Sequence, residues 1–377
     1  MAAPSGPGGI VAKGLAALQA RNHAQAAQLL REAASALPTH EMPWLALGNA
    51  ELALGHLDAA EAAIDRQLQL ASRDVGALLL KGHLRERQGD SRGGTSFYQM
   101  AVGQAAVNGA VPPGLADLLA HAQRFIAGAQ GDYAAHLRQV VGSDLSPTMR
   151  EAIDLLTGQS QVYLQEPTAF YYPGLPQKWF YDSADFPWLE PMLALAPRMA
   201  EELRAGGASG FAPYVTARPN RPAPNNPLLD DMAWSALYFW QEGEVVEANA
   251  AAMPAVMAAL GHAPMPRIPG RAPNALFSRL LPGAHITPHN GLLNTRLICH
   301  VPIVTAPNCS LRVGNETRGW EDSKALVFDD SVEHEARNGG TEERVVLLFE
   351  IWRPEIPPED RAAISRIFQA IESFGLD

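Results

Sequence analysis

Cysteine is almost missing from this 377-residue chain: only Cys299 and Cys309 occur, ten residues apart and outside any Cys-x-x-Cys pattern. Neither a disulfide framework nor a cysteine-built zinc site is therefore indicated, and a reducing, cytoplasmic setting is expected. Positive charge is also short, with 29 Lys and Arg against 40 Asp and Glu and a formal net charge of -11. Nucleic acid asks for a basic face and an anionic membrane for a basic patch, so neither is expected as a partner. No stretch approaches the ~18 unbroken apolar residues of a membrane span. The N-terminal MAAPSGPGGIVAKGLAAL lacks the basic start and long apolar run of a secretory signal, and the chain is read as soluble and unprocessed. Phosphate-cradling GxGxxG or GxxxxGK[ST] segments in strand-to-helix context are absent too.

What is present is a 47% apolar, 18% charged composition, which describes a well-buried globular chain long enough for two domains. Gly14, Gly48 and Gly82 stand 34 residues apart. Ala26, Ala60 and Gly94 follow twelve residues after them, and Leu30, Ile64 and Tyr98 sixteen after; Trp44 and Leu78 precede the second and third glycines by four. Each unit reads as two amphipathic helices, for example 11–19 and 24–36, with a polar turn at Arg21-Asn22-His23 and a stop at Pro38. The segment resembles the tetratricopeptide repeat in period and in its small–large pattern, although Ile10, Ser72 and Ala106 replace an aromatic and two prolines of that family. Such a solenoid offers a concave surface to a peptide or protein, or a rigid support for the next domain.

Expected boundaries are helical repeats over 1–110, bridging helices over 111–160 and a second domain over 161–377. The bridge is read from the apolar-striped GLADLLAHAQRFIAGAQ and DYAAHLRQVVG and from the capped SDLSPTMREAIDLL. Near Tyr163 the composition turns to aromatics and prolines, and RPNRPAPNNP at 218–227 is expected as an exposed loop. From Ala275 to Pro354 short apolar runs bounded by turn residues (ALFSRLL, NTRLICHVPIV, SLRVG, KALVFDD and RVVLLFEIW) read as strands of an antiparallel sandwich or barrel.

His285, His289, His300 and His334 fall in this strand region. A histidine is more often a hydrogen-bonded core or surface residue than a ligand. The spacing here matters more: His289 sits just beyond a strand, His334 follows a strand and turn, and Arg344 opens another strand. Two imidazoles for a redox-active metal plus a deeper cation for a dicarboxylate are what a non-haem iron oxygenase needs.

SRLLPGAHITPHNGLLNTRLICHVPI, GNETRGWED and VFDDSVEHEARNGGTEERVVLLFEIWRPE closely resemble the aspartyl/asparaginyl β-hydroxylase family, over about residues 165–355. The resemblance implies an α + β chain, a repeat solenoid followed by a double-stranded β-helix (jelly-roll) domain, and hydroxylation with Fe(II), 2-oxoglutarate and O2. It makes His289 and His334 the iron ligands, with Arg344, His300 and Ser278 on 2-oxoglutarate. Trp234, Arg296 and Arg312 fall on the substrate side. Arg312 and Trp320 read equally well as an ion-paired cation and a core aromatic. Gly291 stands where the usual third ligand, a carboxylate, would be; the family shares that gap, which leaves room for water and, for a halogenase, chloride. Asp329, Asp330 and Glu333 are read either as orienting His334 or bound water, or as a hairpin turn.

Arg296 matches a family arginine that handles a substrate carboxylate, whereas Ile298 and Ala236 replace an arginine and a glutamine of the animal enzyme. The leading expectation is an Asp/Asn-type hydroxylase of a peptide or protein, docked on the repeats. Hydroxylation of a lipid acyl chain or small molecule, or a scaffold without turnover, are the alternatives.

Overall fold

Glycine spacing in the N-terminal half becomes helix packing in the computed structural model, which describes residues 6–108, 114–142, 144–206, 210–217 and 222–374. Helices α1 (Pro7–Gln19), α2 (His23–Ala36), α3 (Trp44–Leu54), α4 (Leu57–Leu70), α5 (Val75–Arg87) and α6 (Ser91–Asn108) form three successive hairpins. A Cβ added at Gly14 would come within 2.9 Å of Leu30, at Gly48 within 2.7 Å of Ile64, and at Gly82 within 2.5 Å of Tyr98. Each repeat glycine thus receives the large side chain sixteen residues on. Ala26 and Ala60 are fully buried in the same hairpins. Asn22 and Asp74 cap α2 and α5 by accepting from Gln25 and Ala77 N–H, and left-handed Gly55 ends α3. Ion pairs with one buried member cross from one hairpin to the next: Arg31 to buried Glu51 at 2.5 Å, and buried Lys81 to Glu61 at 2.9 Å and Asp65 at 2.5 Å. Helix α7 (Ala116–Val141) lays Leu118, Leu119 and Phe125 on the third hairpin, and α8 (Pro147–Leu156) follows from a Ser146 cap.

The chain divides into two compact units, Met1–Ser160 and Gln161–Asp377. In the second, the order is β1 (Phe180–Tyr181), α9 (Leu189–Ala194), α10 (Ala196–Gly206), β2 (Ala212–Pro213), β3 (Trp234–Gln241), β4 (Glu244–Val245), α11 (Glu247–Ala252) and α12 (Pro254–Leu260). Then come β5 (Ala275–Leu280), β6 (His285–His289), β7 (Arg296–Val304), β8 (Cys309–Val313), β9 (Glu316–Arg318), β10 (Leu326–Phe328), β11 (His334–Asn338), β12 (Arg344–Trp352) and α13 (Pro358–Phe374). One antiparallel sheet runs β1-β10-β7-β12-β5-β3-β2 with β4 added to β3, and a smaller one runs β6-β11-β8-β9. A helical first unit and a two-sheet antiparallel second unit make the chain α + β. The loop expected at 218–227 begins in residues outside those described; 222–227 carry no helix or strand.

Side-chain parity places the chemistry. Successive strand residues point to opposite faces, so on β7 Leu297, Cys299 and Val301 enter the core beneath α9, α10 and α12, while Arg296, Ile298 and His300 face the smaller sheet. On β12, Val345, Leu347, Phe349 and Ile351 take the helix side, and Arg344, Val346, Leu348 and Glu350 the inner side. Burying each of these large apolar side chains contributes about 1.5–3 kcal/mol. Ile286, Leu311, Val313 and Ala336 of the smaller sheet close the inner core against Ile298, Phe328 and Val346. Helix α13 adds Ile364 and Phe368 to a third cluster with Leu175, Ile268 and Leu293 at the side of the cavity.

Candidate active site

Two imidazoles meet because two neighbouring strands place them opposite each other. His289 is the last residue of β6 and His334 the first of β11, and the two are direct antiparallel partners; each histidine is thus a strand residue, where the sequence reading has them just outside strands. Their ring centroids are 4.2 Å apart. His289 Nδ1 lies 2.8 Å from Thr287 O, and His334 Nδ1 3.0 Å from Val332 O. A carbonyl only accepts, so each neutral ring keeps its proton on Nδ1 and turns the Nε2 lone pair free. Burial first, and His289 second, push the His334 pKa down to about 3, so that ring is neutral at physiological pH. Two imidazoles so held are a fitting donor pair for a divalent transition metal.

On the inner face of the larger sheet lies a buried cation with unpartnered donors. Arg344 is 1% exposed, yet among the described residues its Nε and Nη1 have no hydrogen-bond partner. Its guanidinium lies 4.6 Å from the Trp320 ring centre. Burial pulls its pKa down to about 10, which still leaves it cationic at neutral pH. Burying a charge with unmet donors costs several kcal/mol unless an anion joins it. Nearby, Trp320 Nε1 donates to His300 Nδ1 at 3.3 Å, so the His300 proton sits on Nε2, which has no partner among the described residues. Burial, then Arg344, hold the His300 pKa well below its ordinary value. Ser278 Oγ accepts from Trp234 Nε1 at 3.3 Å, and Trp234 stacks on Tyr214 at 4.2 Å. Cation, imidazole N–H and hydroxyl on one face suit a carboxylate.

A cavity of about 1270 Å³ brings together His289, His334, Arg344, His300, Ser278, Trp234 and Arg296. Arg312 is not among its lining residues. Alternation on β8 sends Leu311 and Val313 inward and Arg312 outward, where it bonds Glu335 (2.5 Å), Glu333 (2.8 Å) and the Gly314 carbonyl (2.8 Å) beneath Tyr163. Its expected place on the substrate side is thereby corrected to an ion pair on the outer face.

Arg296 lines the cavity but is not free. Its two terminal nitrogens bond Glu350 and Asp330, the latter at 3.3 Å, and these two carboxylates outweigh burial to hold its pKa above the arginine range. Asp330 is pushed up to about 6 by burial, with Arg296 acting against the rise. A Cβ on Gly291 would overlap the Asp330 carboxylate. Asp329 proves structural: it pairs with the fully buried Arg353 and accepts from Ser331 Oγ at 2.6 Å. Glu350 was not anticipated. Its signal is parity, since it shares the inward face of β12 with Arg344 and sits in a run otherwise apolar.

The family model described as aspartyl/asparaginyl beta-hydroxylase matches residues 213–354. Aspartyl/asparaginyl beta-hydroxylase of Mus musculus is 35% identical over 136 residues, 36% of this chain and 18% of that protein. Aspartate beta-hydroxylase domain-containing protein 2 of Xenopus tropicalis is 33% identical over 138 residues, 36% of this chain and 37% of that one. The matched stretch therefore spans well under half the length of either relative. The Sgt2 TPR domain from Aspergillus fumigatus is similar to 40% of this chain, over 96% of its own, at 16% identity and a TM-score of 0.29. Inner-face histidines, a buried arginine with two donors unpartnered among the described residues, and this matched sequence occupy one stretch of chain: residues 213–354 are similar to the aspartyl/asparaginyl β-hydroxylase family.

Proposed function

We propose that this protein is an Fe(II)- and 2-oxoglutarate-dependent hydroxylase that uses O2 on an Asp/Asn-type residue of a peptide or protein. The observation that carries the reading is the combination, in one cavity, of two Nδ1-anchored imidazoles with a buried arginine whose Nε and Nη1 have no partner among the described residues. His289 and His334 would hold the iron through Nε2, and Arg344, with His300 and Ser278, would take a carboxylate of 2-oxoglutarate. Bound together, iron and 2-oxoglutarate supply an O2-derived oxidant that inserts oxygen into a C–H bond. The chain's own work is placement. The Thr287 and Val332 carbonyls fix the imidazole tautomers, Trp320 fixes the His300 proton on Nε2, and the stacked Tyr214–Trp234 pair walls the cavity where substrate would lie. The helical hairpins are suited to holding the peptide that carries the target residue.

The test is succinate formation from 2-oxoglutarate with Fe(II) under air, comparing wild type with His334→Ala and adding candidate acidic peptides. Turnover stimulated by a peptide that gains one oxygen, and lost in the variant, supports the reading; absence of iron-dependent succinate defeats it.

A second reading has its own observation. Because Glu350 and Asp330 already neutralise Arg296, while Ile298, Leu276 and Leu348 line the same cavity, a target without a free carboxylate is served as well, including a lipid acyl chain or small molecule. Glu350→Gln, which keeps an acceptor for Asn274 N–H, discriminates: under the peptide reading it frees Arg296 and lowers KM for an aspartyl peptide relative to its asparaginyl twin.

A further inference from the structure

The first unit holds a second gathering of metal-ligating side chains, built from residues the hydroxylase reading does not use. His83 and Glu86 lie three residues apart on α5 and so share a face, and His121 reaches the same point from α7. His121 Nε2 stands 2.8 Å from Glu86 Oε2, and His83 Nδ1 3.5 Å from it. One ligand atom from each of the three lies within 4.8 Å of the others, the only such trio among the described residues. Donors around a tetrahedral ion with bonds of about 2.0–2.2 Å stand roughly 3.3–3.6 Å apart, so small side-chain rotations close the set.

Three features hold the trio in place. Tyr98, fully buried on α6, donates its hydroxyl to Glu86 Oε2 at 2.8 Å and anchors the carboxylate. The His121 ring packs edge-on to Tyr98 at 6.0 Å and lies beside Phe125 at 6.2 Å, which limits its rotation. The side chains of His83, Glu86 and His121 remain 35%, 26% and 38% exposed, so water can reach the remaining coordination positions.

We propose that His83, Glu86 and His121 form a binding site for a divalent transition-metal ion of the zinc, cobalt or nickel class, which ties α5 to α7. Two imidazoles and one carboxylate favour these ions over magnesium or calcium, which prefer all-oxygen ligands. Without metal, hydrogen bonds from Tyr98 and His121 satisfy Glu86; with metal, the His121 ring proton moves to Nδ1 and the Nε2 lone pair turns to the ion beside Glu86.

The experiment uses the full chain carrying His289→Ala and His334→Ala, stripped with chelator and titrated with Co(II) alone. One Co(II) per chain is expected, with visible d–d absorption and a rise in Tm. Adding His83→Gln or His121→Gln should abolish that absorption while metal-free circular dichroism stays helical. Tyr98→Phe keeps the ring, loses only the hydroxyl, and should weaken binding by about 10-fold; it carries the test if a glutamine variant unfolds. No Co(II) uptake by the His289→Ala/His334→Ala protein, or uptake indifferent to His83, His121 and Tyr98, overturns the proposal. The readout uses no turnover, so its outcome is separate from that of the hydroxylase reading.

Discussion

The carboxylate of Asp330 fills the space that a side chain at Gly291 would need, because a Cβ built on the glycine overlaps Asp330 Cγ and Oδ2. The missing third carboxylate is thus accompanied by another one, delivered from the turn before β11. Gly291→Asp should therefore fail to install a working facial triad. The overlap and the added like charge should lower stability by about 1–3 kcal/mol, with no gain in metal affinity. Gly291→Asp combined with Asp330→Gly should recover the Tm. Thermal melts and iron titrations of both variants check this; a single variant as stable as wild type would contradict it.

Asp330 also gives the fold a pH dependence of known sign. Its folded pKa, about 6, lies above the unfolded carboxylate value, so between those values the folded state binds more protons than the unfolded one. Stability contributed by the protonated form is present below the unfolded pKa and lost as pH rises through about 6. Asp330→Asn should match wild type near pH 4 and exceed it at pH 7.5, by on the order of 2–3 kcal/mol at most. Denaturant melts across that range decide, and a difference that shrinks as pH rises would refute the assignment.

Arg344 sets function against stability. Replacing a buried cation, two of whose donors lack hydrogen-bond partners among the described residues, by an apolar side chain of similar length removes a desolvation cost. Arg344→Met should raise the Tm of the ligand-free protein and, under the proposed function, weaken 2-oxoglutarate binding by about 100-fold, since a charge-assisted pairing is worth roughly 3 kcal/mol. Calorimetric titration alongside melting curves measures both; a variant that loses stability without ligand would show that Arg344 has an internal partner.

In the repeats, the added-Cβ distances rank the glycines. Gly82 meets the Tyr98 ring at 2.5 Å, and that ring is rigid and pinned through Glu86, whereas Gly14 meets Leu30 Cγ at the longer distance of 2.9 Å. Gly82→Ala should cost about 1–3 kcal/mol and Gly14→Ala less, part of it offset by the better helix propensity of alanine. Circular dichroism melts of the two variants test the order.

Much of this was legible in the residues. Period-34 glycines with large side chains sixteen on describe a hairpin whose two contact partners lie in one short segment, and the five apolar runs from Ala275 to Trp352 correspond to β5, β7, β8, β10 and β12. Strand β3 went unread because Trp234–Gln241 is buried on both faces for most of its length and shows no alternation. The His83–Glu86–His121 trio was also missed, since His-x-x-Glu on a helix is common and its third member lies 35 residues away.

The sequence by itself determined which residue types were available and which face of each strand carried them: local period and side-chain parity need no distant partner. Tertiary structure alone decided their state. That His289 and His334 face each other, that Arg344 keeps two donors unpartnered among the described residues while Arg296 is neutralised and Arg312 turned outward, and that Asp330 takes the space beside Gly291 all depend on which strands are neighbours and in what register. Neighbours in a sheet are set by the burial of whole faces rather than by any local pattern.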